Sequence, residues 1–333
     1  MIKNSQFFFK KLKNIIFLGS LQNKDEIFLK INDKFSLNTE IISSPDQAKG
    51  AKKRNTKIFR NLDKRFENYI LSNYKLEETL FISIASRWII KKKQLSKFFK
   101  GNLINSHPTR LPIDAGSGGF SWQIMRGDRI FNQLFHLVDE KLDTGPIISS
   151  KKSIIPKHYN LPIDYYEHHF NELPKFYGDF IEKLLKGKKF KLKFQNNYLY
   201  TYNPRLLTNI HGWIDWNLNS LNIYRFISAF DDPYAGASTY LNKKKVRIKK
   251  VQLHGGEIPG HPFSSGLIIR NDGNWVVVST VNENHKILIQ EVLDERGKNI
   301  IKNIKVGDRF FTPDKKLEAA RKIRVKIGPK GIK

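Results

Sequence analysis

Short apolar runs alternate with stretches whose apolar residues recur at helical spacing, and this alternation organises the first half of the chain. Asn14-Ile15-Ile16-Phe17-Leu18-Gly19-Ser20 is apolar and ends in Gly and Ser, which predicts a buried strand entering a loop. Glu26, Ile27, Leu29, Lys30 and Ile31 follow with helical spacing, and Thr39 to Ser44 predicts the next strand, closed by Pro45. A basic connector (Lys49, Lys52, Lys53, Arg54) leads to a predicted helix near Phe66 to Leu71 and a buried strand over Leu80 to Ala85. A helix around Leu95 to Phe99, a strand Leu103-Ile104 feeding Asn105, a strand over Phe135 to Val138 and a helix over Phe170 to Leu185 complete the series. Strands alternating with helices predict an α/β class domain built on an open, mostly parallel, Rossmann-like sheet. Its site belongs outside the carboxyl ends of the strands.

After about Asn196 the texture changes. A short helix is predicted over Leu221 to Ala229, and Asp231-Asp232-Pro233-Tyr234-Ala235-Gly236 is turn chemistry. Strand-like runs follow at Ser238 to Leu241, Val246 to Leu253, Gly266 to Arg270, Trp275 to Thr280 and Ile287 to Val292. Five short strands separated by turns predict a small β-barrel, OB-like, of the oligonucleotide/oligosaccharide-binding type. The expected organisation is a catalytic domain over residues 14–195 and a barrel domain over 205–312. Basic extensions cover 1–13 and 313–333, the latter a helix plus an extended end. Lys186 to Lys193 reads as an exposed basic edge or linker, a solvated charge run.

A chain of 333 residues, 40% of them hydrophobic, is long enough for two cores and too apolar for disorder. It has no apolar run long enough to span a bilayer, so no membrane insertion is expected. Met1 to Lys13 places lysines around Phe7-Phe8-Phe9 without a long apolar core or a small-residue cleavage site, and is not read as a signal peptide. Zero cysteines exclude disulfides and thiolate metal sites and fit a cytoplasmic location. Of the nine histidines only His168-His169 are adjacent and none shows ligand spacing, so no metal is expected. The balance of 59 basic against 31 acidic residues gives a net charge of +28, spread through both halves. A polyanionic partner such as tRNA would explain it, and so would the Lys-, Asn- and Ile-rich usage of AT-rich genomes.

The candidate chemistry is concentrated in two segments. Asn105-Ser106-His107-Pro108 and the later run His136 to Pro146 put a carboxamide, an imidazole and a carboxylate at the ends of neighbouring strands. That trio suits acyl transfer to an amine. Asn105 can donate to a developing oxyanion, His107 can donate and relay a proton, and Asp143 can hold the imidazole and raise its basicity. The attacking group then belongs to the substrate, so no nucleophilic Ser or Cys is needed. His136 lies on the strand leading into the Asp143 loop, and alternation points it elsewhere in the sheet, as a core or supporting residue.

These residues also carry a resemblance. The Asn-x-His-Pro turn followed by Val138-Asp139-Glu140-Lys141-Leu142-Asp143-Thr144-Gly145 resembles the core of the 10-formyltetrahydrofolate-dependent formyltransferases. That family includes enzymes acting on methionyl-tRNA, on glycinamide ribonucleotide and on amino sugars. The segments Gly212 to Trp216, Asp232 to Ala237 and Val306 to Phe310 are similar to the C-terminal domain of its two-domain members, so the likeness covers most of residues 14–312. It implies direct transfer of a formyl group from 10-formyltetrahydrofolate to a primary amine by Asn105, His107 and Asp143. It also implies a pterin site at Arg87, Trp88, Ile89 and Ile90, with Asp139, Glu140 and Leu142 on the folate-facing loop. The sequence departs from the tRNA enzymes in the loop Thr109 to Trp122, where their Arg-Gly-Ala-Ala-Pro-like run is absent. The resemblance implies that this loop faces the acceptor and offers Arg110, Gly116, Gly118 and Trp122 as acceptor-binding residues. The implied partner is initiator tRNA, carrying the methionyl amine. A nucleotide-linked amino sugar is the alternative.

Overall fold

Ile15, Ile16, Phe17 and Leu18 are no more than 1% exposed and occupy the centre of a seven-stranded sheet in the computed structural model. The structure describes residues 5–19, 34–48, 56–255, 258–281, 285–328 and 331–332. The helix expected across Glu26 to Ile31 and the connector Lys49 to Arg54 lie outside the described residues. The strands are β1 (Asn14–Gly19), β2 (Asn38–Ser43), β3 (Thr56–Ile58), β4 (Thr79–Ile84), β5 (Leu103–His107), β6 (Ile130–Leu137) and β7 (Ile147–Ile154), in the order β3-β2-β1-β4-β5-β6-β7. The first five are parallel, as expected. β6 runs antiparallel to β5 and β7 antiparallel to β6, so the sheet is mixed. The reason is local: helix α2 (Gly119–Arg126) packs against later helices and does not cross the sheet, so the chain re-enters from the opposite end. The sequence reading did not anticipate β7. Its residues Ile147-Ile-Ser-Ser-Lys-Lys-Ser-Ile154 carry little apolar signal because an edge strand buries few of them.

Alternation along the strands divides two cores. Ile16, Leu18 and Phe81 face α1 (Lys64–Asn73) through Phe66 and Ile70. Ile15, Phe17, Leu80 and Ile82 face α3 (Pro162–Leu185) through Tyr177, Phe180, Ile181 and Leu184. α3 begins eight residues before the expected Phe170, with Pro162 in its first turn, where a missing N–H costs nothing.

Two expectations are corrected beside α3. Gln6–Phe7 pairs antiparallel with Phe190–Lys191, and Phe7, Phe9 and Leu12 are buried. The N-terminal segment is therefore part of the core, and Lys186 to Lys193 is its pairing partner, with Phe190 and Leu192 buried. The exposed lysines had masked the two apolar positions between them.

The second half holds helix α4 (Ser220–Ala229), strands β8 (Ala237–Leu241), β9 (Lys244–His254), β10 (Ile268–Asn271), β11 (Val276–Val278), β12 (Lys286–Leu293) and β13 (Phe310–Phe311), then helix α5 (Asp314–Lys322). Its sheet, ordered β10-β11-β12-β9-β8-β13, is antiparallel throughout and has six strands, against the five expected. It curls until its edges meet: Phe310 donates to the Gly266 carbonyl (2.8 Å) and Ile268 to that of Asp308 (2.8 Å). Phe120, Ile124, Phe131 and Tyr165 of the first half join Ile227, Phe230, Ile248 and Val292 of the second in one continuous cluster. Among the described residues no helix is long and apolar enough to cross a membrane.

Candidate active site

The parallel-to-antiparallel switch between β5 and β6 puts Asn105 directly opposite His136. Across this pair the Asn105 amide Nδ2 donates to His136 Nε2 (3.1 Å). His136 Nδ1–H donates to the Leu137 carbonyl (2.8 Å), which leaves Nε2 as the acceptor. His136 therefore points toward the site, contrary to the expectation from alternation, and it orients the Asn105 amide. Cross-strand register, which sequence alone does not supply, is what reverses that expectation.

His107 ends β5 and is 7% exposed. Its Nε2 lies 2.6 Å from Thr109 Oγ1 and 3.1 Å from the Asp114 carbonyl, and Thr109 Oγ1 lies 2.8 Å from that same carbonyl. One proton arrangement satisfies all three: Thr109 donates to Asp114, and His107 Nε2–H donates to Thr109 and Asp114. Nδ1 then remains as the nitrogen with no partner among the described residues. The sequence reading passed over Thr109; its place two residues after the histidine was the available signal.

Asp143 completes the cluster. Its carboxylate accepts the Gly116 N–H (2.8 Å) and lies 3.6 Å from His136 Nε2. Burial raises its pKa, but His107, His136 and the Gly116 N–H together outweigh that and hold it at about 2. The direct pairing with His107 that was expected is absent among the described residues; the two interact through space while the Gly116 N–H holds the carboxylate. Asp143 has φ +55°, a left-handed conformation that Asp tolerates better than most residues. Gly145 is required nearby, because a Cβ there would stand 1.8 Å from the Leu137 oxygen.

The residues expected at the folate divide. Trp88 is buried in the α1 core with its indole N–H on the Arg60 carbonyl (3.2 Å), and Ile90 packs beside it. Arg87 pairs with Asp46 (3.0 Å). Ile89 is 87% exposed and Leu142 53% exposed. The segment carrying Ile89 is tied to the loop carrying Leu142 by an ion pair between Lys92 and Glu140 (2.9 Å). Asp139 accepts from Thr144 Oγ1 (2.8 Å) and shapes that loop. The residues expected at the acceptor are partly occupied elsewhere. Arg110 bridges Asp114 (3.4 Å) and Asp128, and Trp122 donates to the Pro204 carbonyl (2.8 Å). Gly116 and Gly118 keep positive φ, and Gly116 lies against the strand Tyr202–Asn203. Among the described residues no group of His, Asp and Glu could hold a metal ion.

The same two halves are seen in known proteins. A family model described as formyl transferase matches residues 13–162, and one described as formyl transferase, C-terminal domain, matches 207–304. Methionyl-tRNA formyltransferase of Wigglesworthia glossinidia brevipalpis is 26% identical over 306 residues, which cover 86% of this chain and 92% of that one. The solved N-formyltransferase from Helicobacter canadensis, in complex with folinic acid and dTDP-3-aminofucose, superimposes with a TM-score of 0.63 at 21% identity, covering 84% of this chain and 99% of that one. WlaRD, a sugar 3N-formyl transferase solved with dTDP and 5-N-formyl-THF, gives 0.61 at 20% identity, covering 84% and 97%. The two structural likenesses show a shared fold.

Proposed function

The chain belongs to the formyl transferase family, and on that premise we propose that it moves a formyl group from 10-formyltetrahydrofolate to a primary amine, with Asn105, His107 and Asp143 as catalytic residues. The observation that carries this is the convergence of the three, with His136, at the ends of β5 and β6. The folate supplies an activated formyl group. Its pterin would lie between exposed Ile89 and Leu142, on segments that the Lys92–Glu140 pair holds together.

Asn105, its amide oriented by His136, directs its second N–H toward the oxygen that gains negative charge, a contribution of ~3–4 kcal/mol for a preorganised donor of this kind. His107 presents unprotonated Nδ1 to the reacting groups because Thr109 and Asp114 hold Nε2–H. Nδ1 therefore takes the proton lost by the attacking amine and returns it to the departing folate nitrogen as the C–N bond to the formyl group breaks. Asp143, ionised at every physiological pH, stands beside His107 and passes the amine proton on, directly or through water.

As acceptor we propose the methionyl amino group of initiator tRNA. The near full-length relative in Wigglesworthia and the +28 charge support it. We read the curled C-terminal sheet as an OB-type surface for the nucleic acid. A nucleotide-linked amino sugar is the second reading, favoured by the glycine backbone of Gly116 and Gly118 beside Asp143. The test offers 10-formyltetrahydrofolate with charged initiator methionyl-tRNA in one reaction and with nucleotide-linked 3-amino and 4-amino sugars in another. Formylmethionine that disappears in His107→Ala supports the first reading, formylated sugar the second. Turnover of neither amine rejects formyl transfer to these acceptors.

A further inference from the structure

The C-terminal segment beyond residue 304, where the second family match ends, returns to the catalytic site. Two contacts anchor it. His211 Nε2–H donates to the Ile323 carbonyl (3.1 Å), and Arg321 pairs with Asp215 (2.8 Å). The next residue, Arg324, sets its guanidinium 4.8 Å from the centre of the Tyr202 ring. Tyr202 also borders the loop that follows His107. Its strand pairs with Ala115–Gly116, and a Cβ at Gly116 would stand 2.9 Å from Tyr202 Cε2. Gly116 is the residue whose N–H holds Asp143 (2.8 Å). The same aromatic side chain therefore touches a tail cation and the backbone that fixes the catalytic carboxylate. Tyr200 senses both charges: burial first, and then Asp143, raise its phenol pKa, and Arg324 opposes them.

Arg324 is exposed and has no acidic partner among the described residues. Held over the ring, a guanidinium has N–H groups left for a phosphate, and the contact limits the orientations it can lose on binding. We propose that Arg324, seated on Tyr202, is the phosphate-recognising residue of the acceptor site, gripping the phosphate nearest the amine to be formylated. The proposal rests on the formyl-transfer reading. The 3′ end of an RNA and a nucleoside diphosphate carrying a sugar both present that group.

The test uses the full chain as wild type, Arg324→Ala and Arg324→Lys. Each is titrated calorimetrically with dTDP, with a single-stranded RNA ending in CCA, and with 5-formyltetrahydrofolate. Arg324→Ala is expected to weaken one of the two phosphate ligands about ten-fold or more. Arg324→Lys recovers only part of this, because an ammonium has no planar fork. Folate affinity stays constant across the three proteins. The phosphate ligand that weakens identifies the source. Arg324→Ala binding both phosphate ligands within about two-fold of wild type, or a wild type that binds neither, overturns the subsite. A wild type that fails to bind the folate rejects the formyl-transfer reading instead, and the phosphate titrations still decide the role of Arg324.

Discussion

Replacing Thr109 by valine tests whether the histidine is held in one tautomer by its neighbour. Valine has nearly the same shape, so at a site only 3% exposed it removes the hydroxyl and leaves no cavity. Two short contacts disappear, at 2.6 Å to His107 Nε2 and 2.8 Å to the Asp114 carbonyl. That carbonyl keeps His107 at 3.1 Å, so no buried acceptor is orphaned. The stability loss is then the net worth of two neutral hydrogen bonds, about 2 kcal/mol, and Tm should fall by ~4–6 °C. The catalytic loss arises differently. With its best acceptor gone, Nε2–H keeps one longer bond, and the imidazole gains access to the other tautomer and to rotation. A penalty of ~1.4 kcal/mol for restoring the productive state corresponds to a roughly ten-fold fall in kcat. Steady-state formyl transfer should show that fall with KM for donor and acceptor within about two-fold, because no substrate contact is removed. Thr109→Ser, which keeps the oxygen, should restore most of kcat. If Tm drops as stated while kcat stays within about two-fold of wild type, Thr109 stabilises the loop and has no part in setting the histidine.

Two further outcomes follow from burial and charge. The Asp143 pKa is depressed to about 2 in the folded chain, so its ionised form contributes stability above the ordinary carboxylate pKa that is lost as pH falls through the folded value. Between pH ~4 and ~2, the unfolding free energy of the wild type from urea denaturation should decline by about 2 kcal/mol more than that of Asp143→Asn, and parallel declines would show that the carboxylate is not held by its neighbours. Phe7 is 5% exposed and stacks on Phe180 at 6.4 Å, so Phe7→Ala should cost ~3 kcal/mol in urea denaturation; a change below about 0.5 kcal/mol would return the N-terminal segment to the status of a loose extension.

Much of this was legible in the residues themselves. The apolar runs of β1, β4 and β5 read as buried strands because a parallel sheet covered on both faces needs apolar side chains on both. The five strand-like runs of the second half each found a place in its sheet, because alternation and turn residues are local signals. Asn105, His107 and Asp143 were singled out as candidates by type and spacing, and the fold places them at one end of the sheet.

What the sequence could not convey depends on register and packing between distant segments. β7 pairs as an edge strand that buries few side chains, so little in its composition marks it. Phe7 and Phe9 read as a basic terminus until Phe190 supplies a strand to pair with. His136 appeared to point away from the site. Only the antiparallel register across β5 and β6 sets it against Asn105, and only the left-handed turn at Asp143 brings the carboxylate back onto it. Thr109 and Arg324 acquire their roles in the same way, one from a loop that folds back onto His107 and the other from a tail that crosses to Tyr202. Local chemistry in the chain determined which groups could serve acyl transfer, and tertiary contacts decided which atom of each is bonded and which is left open, because orientation is fixed by partners far away in sequence.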